Sequence, residues 1–193
     1  ALEANPDAFE IWSLKGSLLS TIGQSADALR CHDRAIQLRP DHSRVWHSKG
    51  VSLNAMSSFD DAIQCYDRSL SINESDPRVW YDKGVTLQRH GQIRAASLCW
   101  DRSLVLAPDN PIAWCNQGSA MSELGDMETA TSCYRRALDL DPRDGTAWYG
   151  LGLAIARHGQ NRHEARECLK VAASLGLSQA PQAMLDLGLD EDL

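Results

Sequence analysis

The sequence lacks three features that would assign the protein to common functional classes. It has no apolar run near the eighteen or so residues that a membrane span requires. Its glycines stand singly, so there is no Gly-rich loop of the kind that binds phosphate groups. Basic residues number 19 against 26 acidic ones, a formal net charge of -7. These absences argue against a membrane protein, a phosphate-loop enzyme and a protein that neutralises nucleic-acid phosphates.

Residues suited to catalysis are also scarce. The best candidate cluster contains His158, His163, Glu164 and Cys168. His163 and Cys168 are five residues apart and therefore off a common helix face, and Cys168 continues a periodic series of cysteines. We therefore predict no catalytic residue, no metal ligand and no cofactor, and we expect that the protein is not an enzyme.

What the sequence does contain is a tryptophan every thirty-four residues. A fixed period of that length is typical of several copies of one small structural unit. A glycine follows each tryptophan by four residues, and an alanine follows it by sixteen, the last alanine being one residue late. The tryptophans are Trp12, Trp46, Trp80, Trp114 and Trp148, and the alanines are Ala28, Ala62, Ala96, Ala130 and Ala165. The shared period indicates one elongated domain in which each unit contacts its neighbours.

Five of the six cysteines follow the same period, and only Cys115 does not. The periodic ones are Cys31, Cys65, Cys99, Cys133 and Cys168. Equivalent positions in stacked units lie about 10 Å apart, beyond the Cα separation of about 7 Å that a disulfide tolerates. We expect buried or half-buried free thiols, which suit a reducing compartment, and we predict a cytoplasmic location on that basis.

Each unit is predicted to form two helices. In the first, Trp46, Gly50 and Leu53 recur at i, i+4 and i+7, which is the stripe of an amphipathic helix. In the second, Ala62 and Tyr66 lie on one face. Asp76-Pro77 and Asn110-Pro111 are predicted to begin first helices, glycines to end first helices, and prolines to follow second helices. Those glycines are Gly23, Gly91, Gly125 and Gly159, and those prolines are Pro40, Pro108 and Pro142.

The glycine inside each first helix needs a compensating gain, because it costs about 1 kcal/mol relative to alanine. We expect that Gly50, which has no side chain, and Ala62, which has only a methyl group, let the two helices pack closely. Trp46 then fills the wider gap beside them. The glycine period therefore predicts a close approach of the two helices within every unit.

This pattern of Trp, Gly, bulky apolar residue, Gly, Ala, aromatic residue, Ala and Pro resembles the tetratricopeptide repeat, over nearly the whole chain. The resemblance implies an all-α fold, a right-handed superhelical α-solenoid of antiparallel helix pairs. The five repeats are predicted at 9–42, 43–76, 77–110, 111–144 and 145–178, the last with a one-residue insertion. Residues 1–8 are then expected to be the tail of a preceding repeat, and 179–193 a C-terminal capping helix and acidic tail.

Two further expectations come from residues that differ from the family pattern and from the N-terminal residues of the sequence. Where the family favours leucine, the chain has Lys15, Lys49 and Lys83, whose stems we expect to pack while the ammonium groups lie in water. Because the opening residues match the end of a second helix, the sequence is expected to start inside an earlier repeat. Apolar surface is then predicted on the first helix at Phe9 and Ile11, with a risk of end-to-end self-association.

In the tetratricopeptide family the first helices line the concave face, so the resemblance implies that ligand contacts lie there. The positions on this face vary from repeat to repeat, unlike the tryptophan and glycine positions. Arg44 and Arg78 share one register and are candidates to bind two acidic groups, unless Asp82 neutralises one of them. The predicted partner-binding residues are Arg44, His47, Arg78, Tyr81, Asp82, Arg89, Asn116, Tyr149 and Arg157.

The predicted function is a non-catalytic scaffold that binds a peptide or protein segment in the concave groove. Relatives that bind chaperone C-termini use a two-carboxylate clamp, of which only Asn116 is present here, so chaperone tails are not the expected ligand. Neither nucleic acid nor a membrane is an expected partner. The alternative is a structural, self-associating spacer module within a longer multidomain protein.

Overall fold

The chain folds into α-helices. The computed structural model describes residues 8–159 and 161–189, and these residues contain eleven α-helices and no strand. The helices are α1 (Ala8–Thr21), α2 (Ser25–Leu38), α3 (Ser43–Ala55), α4 (Phe59–Ile72), α5 (Pro77–Arg89), α6 (Ile93–Leu106), α7 (Pro111–Leu124), α8 (Met127–Leu140), α9 (Gly145–His158), α10 (Arg162–Ser174) and α11 (Ala180–Asp186). The all-α prediction is confirmed. The chain divides into two compact units, Ala1–Cys99 and Trp100–Leu193, whose boundary falls within α6.

In the first unit, consecutive helices pack on one another because each buries one apolar stripe. The pairs α1–α2 and α3–α4 make the most extensive contacts, and α2 also packs on α3 and α4 on α5. Leu53, Tyr66 and Val79 belong to one core cluster, with Trp46 and Trp80 packed against it. Since a stripe at i, i+4 and i+7 covers only one side of a helix, the other side of each first helix stays available for polar residues.

The second unit is built in the same way. Helix α7 pairs with α8 and α9 with α10, while α8 also packs on α9 and α10 on α11. One core cluster includes Tyr134, Leu151, Ile155 and Leu169 and reaches Leu189. Helix α11 covers part of α10, in the region where a capping helix is predicted. Residues 1–7 and 190–193, where the tail of a preceding repeat and the acidic tail are predicted, lie outside the described residues.

The helix ends lie where the glycine, proline and capping signals place them. Asp76 and Asn110 each accept a hydrogen bond from a backbone N–H of the following first turn, with a proline at its start. The four glycines predicted to end first helices all have positive φ, between 74° and 87°. In the second repeat this place is taken by Ser57, which has a φ of 60° and is the one non-glycine residue with positive φ in the described chain.

The recurrent tryptophan has a polar role in addition to packing. The indole Nε1 of Trp46 donates to the carbonyl oxygen of Pro40, six residues earlier, at 2.9 Å. The same bond links Trp80 to Glu74 at 2.9 Å, Trp114 to Pro108 at 2.8 Å and Trp148 to Pro142 at 2.9 Å. Each of these four tryptophans therefore fixes the start of a first helix to the segment that follows the preceding second helix.

The glycine of the first helix allows a close approach, but in the second and fourth repeats the approaching group is a tyrosine ring and not the alanine that the sequence predicts. In the fifth repeat the prediction holds, since a Cβ at Gly152 would lie 3.0 Å from the backbone oxygen of Ala165. A Cβ at Gly50 would lie 2.6 Å from the ring of Tyr66, and one at Gly118 would lie 2.9 Å from the ring of Tyr134. The ring stands four residues after the periodic alanine, one helical turn further along. It therefore reaches the glycine backbone, while Ala62 itself is fully buried.

The prediction for the first helix is right for Ile11 and wrong for Phe9. Ile11 is exposed, but Phe9 is buried in a cluster with Ala35 and Val45. Its ring also contacts the Arg39 guanidinium, 4.4 Å from the ring centroid. The exposed apolar residues of α1 are Ile11, Leu14 and Leu18, at 45%, 62% and 59% exposure, and Ile22, at 67%, follows directly after the helix. They recur at i, i+3, i+7 and i+11, so the apolar stripe lies on a different side of α1 from Phe9.

All six cysteines are free and buried. Five of them follow the period that predicts this, and Cys115, which lies outside the period, is buried as well. Burial raises the pKa of the Cys133 and Cys168 thiols to about 11 and that of Cys115 to about 12. They are therefore protonated at neutral pH and are poor nucleophiles. In the described part of the chain, no helix is both long and apolar enough to span a membrane.

Candidate functional site

The nine predicted binding residues fall into two groups, one in each unit. Arg44 and His47 lie on α3, and Arg78, Tyr81, Asp82 and Arg89 lie on α5, all in the first unit. Asn116 lies on α7, and Tyr149 and Arg157 lie on α9, in the second unit. Each group is described by itself.

His47 and Asp82 form a pair that joins α3 to α5. The Nε2 atom of His47 is 2.6 Å from Oδ2 of Asp82, and the imidazole ring lies beside Tyr66 with centroids 5.9 Å apart. Both side chains are partly buried. The pKa of Arg78 is raised mainly by its hydrogen bond with Asp76 and also by the charge of Asp82, so the contact with His47 adds to the expected effect of Asp82 on an arginine and does not replace it.

Arg78 is held by the residue that caps its own helix. Oδ1 of Asp76 accepts from the backbone N and Nε of Arg78, both at 3.0 Å, and Oδ2 accepts from Nη2 at 2.7 Å. The hydrogen bond from the Arg78 side chain is the main reason that the pKa of Asp76 lies below its usual value. Arg44 has the same register but follows His42 and Ser43, so the two arginines do not share one electrostatic environment.

Arg89 links the ends of two helices. Its Nη1 donates to the backbone oxygen and to Oδ1 of Asn54, at 2.9 and 2.8 Å, and its guanidinium lies 5.1 Å from the ring centroid of Phe59. A cation that bridges α5 to the last turn of α3 stabilises the helix pair. These contacts give Arg89 a structural task in addition to the predicted binding role.

In the second unit, all three predicted residues line one pocket of about 370 Å³, which we call the α7–α9 pocket. Asn116, Tyr149 and Arg157 are on its wall. Thirteen residues surround it: Cys115, Asn116, Ser119, Ser122, Glu123, Tyr134, Thr146, Tyr149, Gly150, Leu153, Arg157, Leu177 and Gln179. Buried and half-buried apolar groups are thus combined with hydroxyl, amide and charged groups, as in many ligand sites.

Gly150 makes room for part of this pocket. The equivalent position carries Ser48, Asp82 and Asn116 in the three preceding repeats, whereas here the side chain is missing. A Cβ at Gly150 would collide with the ring of Tyr134. The Tyr134 ring is buried, and burial raises the pKa of its hydroxyl to about 12, so the ring contributes a neutral aromatic surface.

Several lining residues are not among those predicted. Tyr134 lies on α8, and Leu177 and Gln179 lie in the segment between α10 and α11, whereas the prediction considered first helices alone. The one sequence signal is the glycine at position 150, where other repeats carry a side chain. That signal indicates a local space without identifying the residue that fills it.

The cluster considered for catalysis has other roles. Glu164 Oε1 accepts from Nη2 of Arg135 at 2.8 Å, and Cys168 is buried in the core. His158 ends α9, and His163 is an exposed residue in the first turn of α10. Within the described residues, no group of three or more His, Cys, Asp or Glu side chains is placed to hold a metal ion.

Comparisons with known proteins agree with this arrangement. A family model described as a tetratricopeptide repeat matches residues 14–77, and a second, described as a TPR repeat, matches residues 118–159. The chain belongs to the tetratricopeptide repeat (TPR) family. Both matches lie within stretches where the Trp and Gly period is in phase. TPR proteins serve as protein–protein interaction scaffolds, and the family is generally non-catalytic.

Solved structures show the same fold over nearly the whole chain. A MamA crystal structure aligns with a TM-score of 0.81 at 19% identity, covering 92% of this chain and 96% of MamA. YrrB, described as a TPR protein with an unusual peptide-binding site, aligns with a TM-score of 0.80 at 22% identity, covering 96% and 100%. PilF of Pseudomonas aeruginosa aligns with a TM-score of 0.81 at 16% identity, covering 95% and 83%. Comparison with curated proteins gives no match.

Proposed function

We propose that this TPR protein binds a peptide or protein segment on the surface of its first helices, with the α7–α9 pocket as the principal contact. The observation that carries the proposal is that Asn116, Tyr149 and Arg157, all predicted from repeat variability, line one pocket. A constant scaffold with one variable surface is suited to recognition. The peptide-binding site named for the structurally similar YrrB supports the same class of function.

The chemistry of the pocket suits a peptide. The amide of Asn116 both donates and accepts hydrogen bonds, which matches a peptide backbone, and the Tyr149 ring offers rigid apolar area with a hydroxyl at its edge. Arg157 is exposed at the wall and, among the described residues, has no ion pair of its own. A carboxylate on the ligand would therefore gain a charge-assisted hydrogen bond there.

The first unit contributes less in this account. Arg78, Asp82 and Arg89 already make ion pairs or hydrogen bonds within the unit, and His47 is held by Asp82. A ligand must break or share these contacts, which lowers the net gain from binding. Arg44 is exposed, so within the first unit we assign it an electrostatic contact with a ligand.

A peptide-display selection against the protein tests the proposal. Peptides recovered from a random library are expected to bind the unmodified chain and to lose at least about tenfold in affinity for Tyr149→Ala and Arg157→Glu, because hot-spot tyrosine and arginine contacts are removed. Arg136→Glu is the matched control, since Arg136 is exposed on α8 and does not line the pocket. Equal loss with the control, or no loss with either pocket variant, would refute the assignment.

A second function, as a self-associating spacer module, is favoured by a specific observation. The apolar stripe of Ile11, Leu14 and Leu18 on α1, continued by Ile22 just after the helix, is exposed, and such stripes often pack against another helix. Sedimentation velocity over a concentration series is expected to show association that a Leu14→Lys, Leu18→Lys variant abolishes. A monomer at every concentration would leave the peptide-binding function alone. The six free thiols favour the cytoplasm as the location we propose.

A further inference from the structure

A second groove lies in the unit Trp100–Leu193, on a different side of α9 from the α7–α9 pocket. It is bounded by α8, α9 and α10 and has a volume of about 640 Å³, and we call it the α8–α10 groove. Leu138, Leu151 and Cys168 are buried at its floor, while Trp148 and Val171 are half-buried at its sides. None of these five residues lines the α7–α9 pocket.

The corresponding surface of the other unit is crossed by a lysine bridge. Lys49 lies with Nζ 5.7 Å from the ring centroid of Trp46 and 2.7 Å from Oδ1 of Asp33 on the preceding second helix. The ammonium group thus lies over the indole and ties α3 to α2. The same arrangement recurs in the next repeat with Lys83, Trp80 and Asp67. In these two repeats, a charged side chain occupies the space beside the tryptophan.

The fifth repeat has lost both partners of this bridge. Leu151 stands at the register of the lysine, and Arg135 stands at the register of the aspartate. Leu151 turns into the core, and in the described part of the chain no cation lies over Trp148. Arg135 instead pairs with Glu164 on α10, at 2.8 Å. The space beside Trp148 is therefore left open, with an apolar floor.

The rim of the groove is acidic. Asp139, Glu164 and Glu167 line it against a single cation, Arg135. Glu164 is paired with Arg135, and Glu167 is paired with Lys170 at 2.8 Å. Asp139 is exposed and forms no ion pair with any described residue. An available carboxylate thus lies in the same groove as an indole, which is complementary to a side-chain pair of one cation and one bulky apolar group.

We propose that the α8–α10 groove is a second docking surface, which binds a basic amphipathic segment of a partner protein. A bulky apolar side chain of that segment packs against Trp148 and Val171, and a lysine or arginine pairs with Asp139. The ligand replaces, in trans, the lysine that the second and third repeats supply from their own first helices. In the fourth repeat this register holds Gln117, which donates to Asp101. The apolar contact provides most of the affinity, and the carboxylates favour basic partners over acidic ones.

The test uses a fluorescein-labelled helical peptide with Leu and Trp on one face and Lys on the other. Two matched peptides carry Glu in place of Lys, or Ser in place of the apolar residues. Anisotropy titrations with the full chain are expected to show binding of the first peptide and at least about tenfold weaker binding of the other two. Affinity for the first peptide is also expected to fall as salt is raised. Failure of the first peptide to bind, or equal binding of the acidic peptide, overturns the proposal.

Variants connect this binding to the groove. Arg135→Asp combined with Leu151→Lys rebuilds the bridge of the second and third repeats. Asp139→Lys reverses the available charge on an exposed residue without touching the core. Each is expected to lower the affinity for the basic peptide at least about tenfold. Tyr149→Ala, in the α7–α9 pocket, is expected to leave its affinity unchanged. If all three variants bind like the parent chain, or if self-association of the chain blocks the peptide, the proposed occupant is wrong.

Discussion

Gly50 illustrates how a single missing side chain permits helix packing. Because a Cβ would lie 2.6 Å from the ring of Tyr66, which is fully buried, the ring has little room to move aside. We expect Gly50→Ala to lower the free energy of unfolding by about 1 to 3 kcal/mol, despite the better helix propensity of alanine. Chemical denaturation monitored by circular dichroism measures this difference.

The matched control is Gly145→Ala at the start of α9. A Cβ there would lie 3.4 Å from Cβ of Leu175, an ordinary contact. That substitution is expected to leave stability unchanged or to raise it by up to about 1 kcal/mol, since alanine restricts the unfolded chain. The account of Gly50 fails if both substitutions have the same effect.

His32 makes the stability of the protein sensitive to acid. It is fully buried at the register of Tyr66, and neither ring nitrogen has a hydrogen-bond partner among the described residues. Burial is the main reason that its pKa falls to about 4, and Lys49 lowers it further, whereas Asp33 opposes the shift. The folded protein therefore holds this imidazole neutral under mildly acidic conditions.

The direction of the pH dependence follows from this pKa. Between about pH 6.5 and pH 4 the unfolded chain binds a proton at His32 that the folded chain does not, so stability is lost as the pH falls through this range. The loss is expected to be on the order of 3 kcal/mol. Unfolding titrations across that range measure it, and His32→Tyr is expected to flatten the profile. An unchanged profile in that variant would assign the acid sensitivity to other groups.

At the scale of the helix, sequence and structure agree best where the signal is local. Glycines and prolines mark the helix ends because they act through their own backbone dihedrals, as at Gly125 and Pro108. The Trp period is equally visible. The carbonyl oxygen that accepts the indole hydrogen bond cannot be identified from the sequence, because every residue has a backbone oxygen.

Contacts between helices are harder to predict, as the lysines show. Lys83 is expected from sequence to point its ammonium group into water, yet Nζ lies 2.5 Å from Oδ1 of Asp67 on the preceding helix. The sequence shows that residue 83 is a cation, but which residue it pairs with depends on how α4 and α5 pack against each other. The prediction that Phe9 is exposed is wrong for the same reason, since its burial depends on Ala35 and Val45, which are distant in sequence.

The Lys83–Asp67 ion pair is expected to fix the register of α5 against α4 and to contribute little to the free energy of unfolding. Asp67 is more than half exposed, so its charge stays screened by water. A double-mutant cycle with Lys83→Leu and Asp67→Ala should give a coupling free energy below about 1 kcal/mol. A coupling of several kcal/mol would show that the bridge is a main source of stability and would weaken the view that its loss in the fifth repeat is tolerated.

Across the whole molecule, the constant positions build the scaffold and the variable positions build the candidate sites. The repeat period allowed the fold class to be predicted from sequence alone, because the same stripe recurs in each repeat. Asn116, Tyr149 and Arg157 could be predicted as surface residues of first helices, but their convergence on one pocket depends on Gly150 and Tyr134. The binding role of the nine predicted residues stays a prediction.

The central claim is that a peptide binds in the α7–α9 pocket, on the surface formed by these two first helices. Backbone amide NMR of the labelled chain, titrated with a peptide recovered from the display selection, tests it most directly. We expect the largest shift changes at Asn116, Tyr149, Leu153 and Arg157, all in the α7–α9 pocket. If the chemical shifts of these four amides stay unchanged and only residues of α8 and α10 outside the α7–α9 pocket show changes, the claim is contradicted.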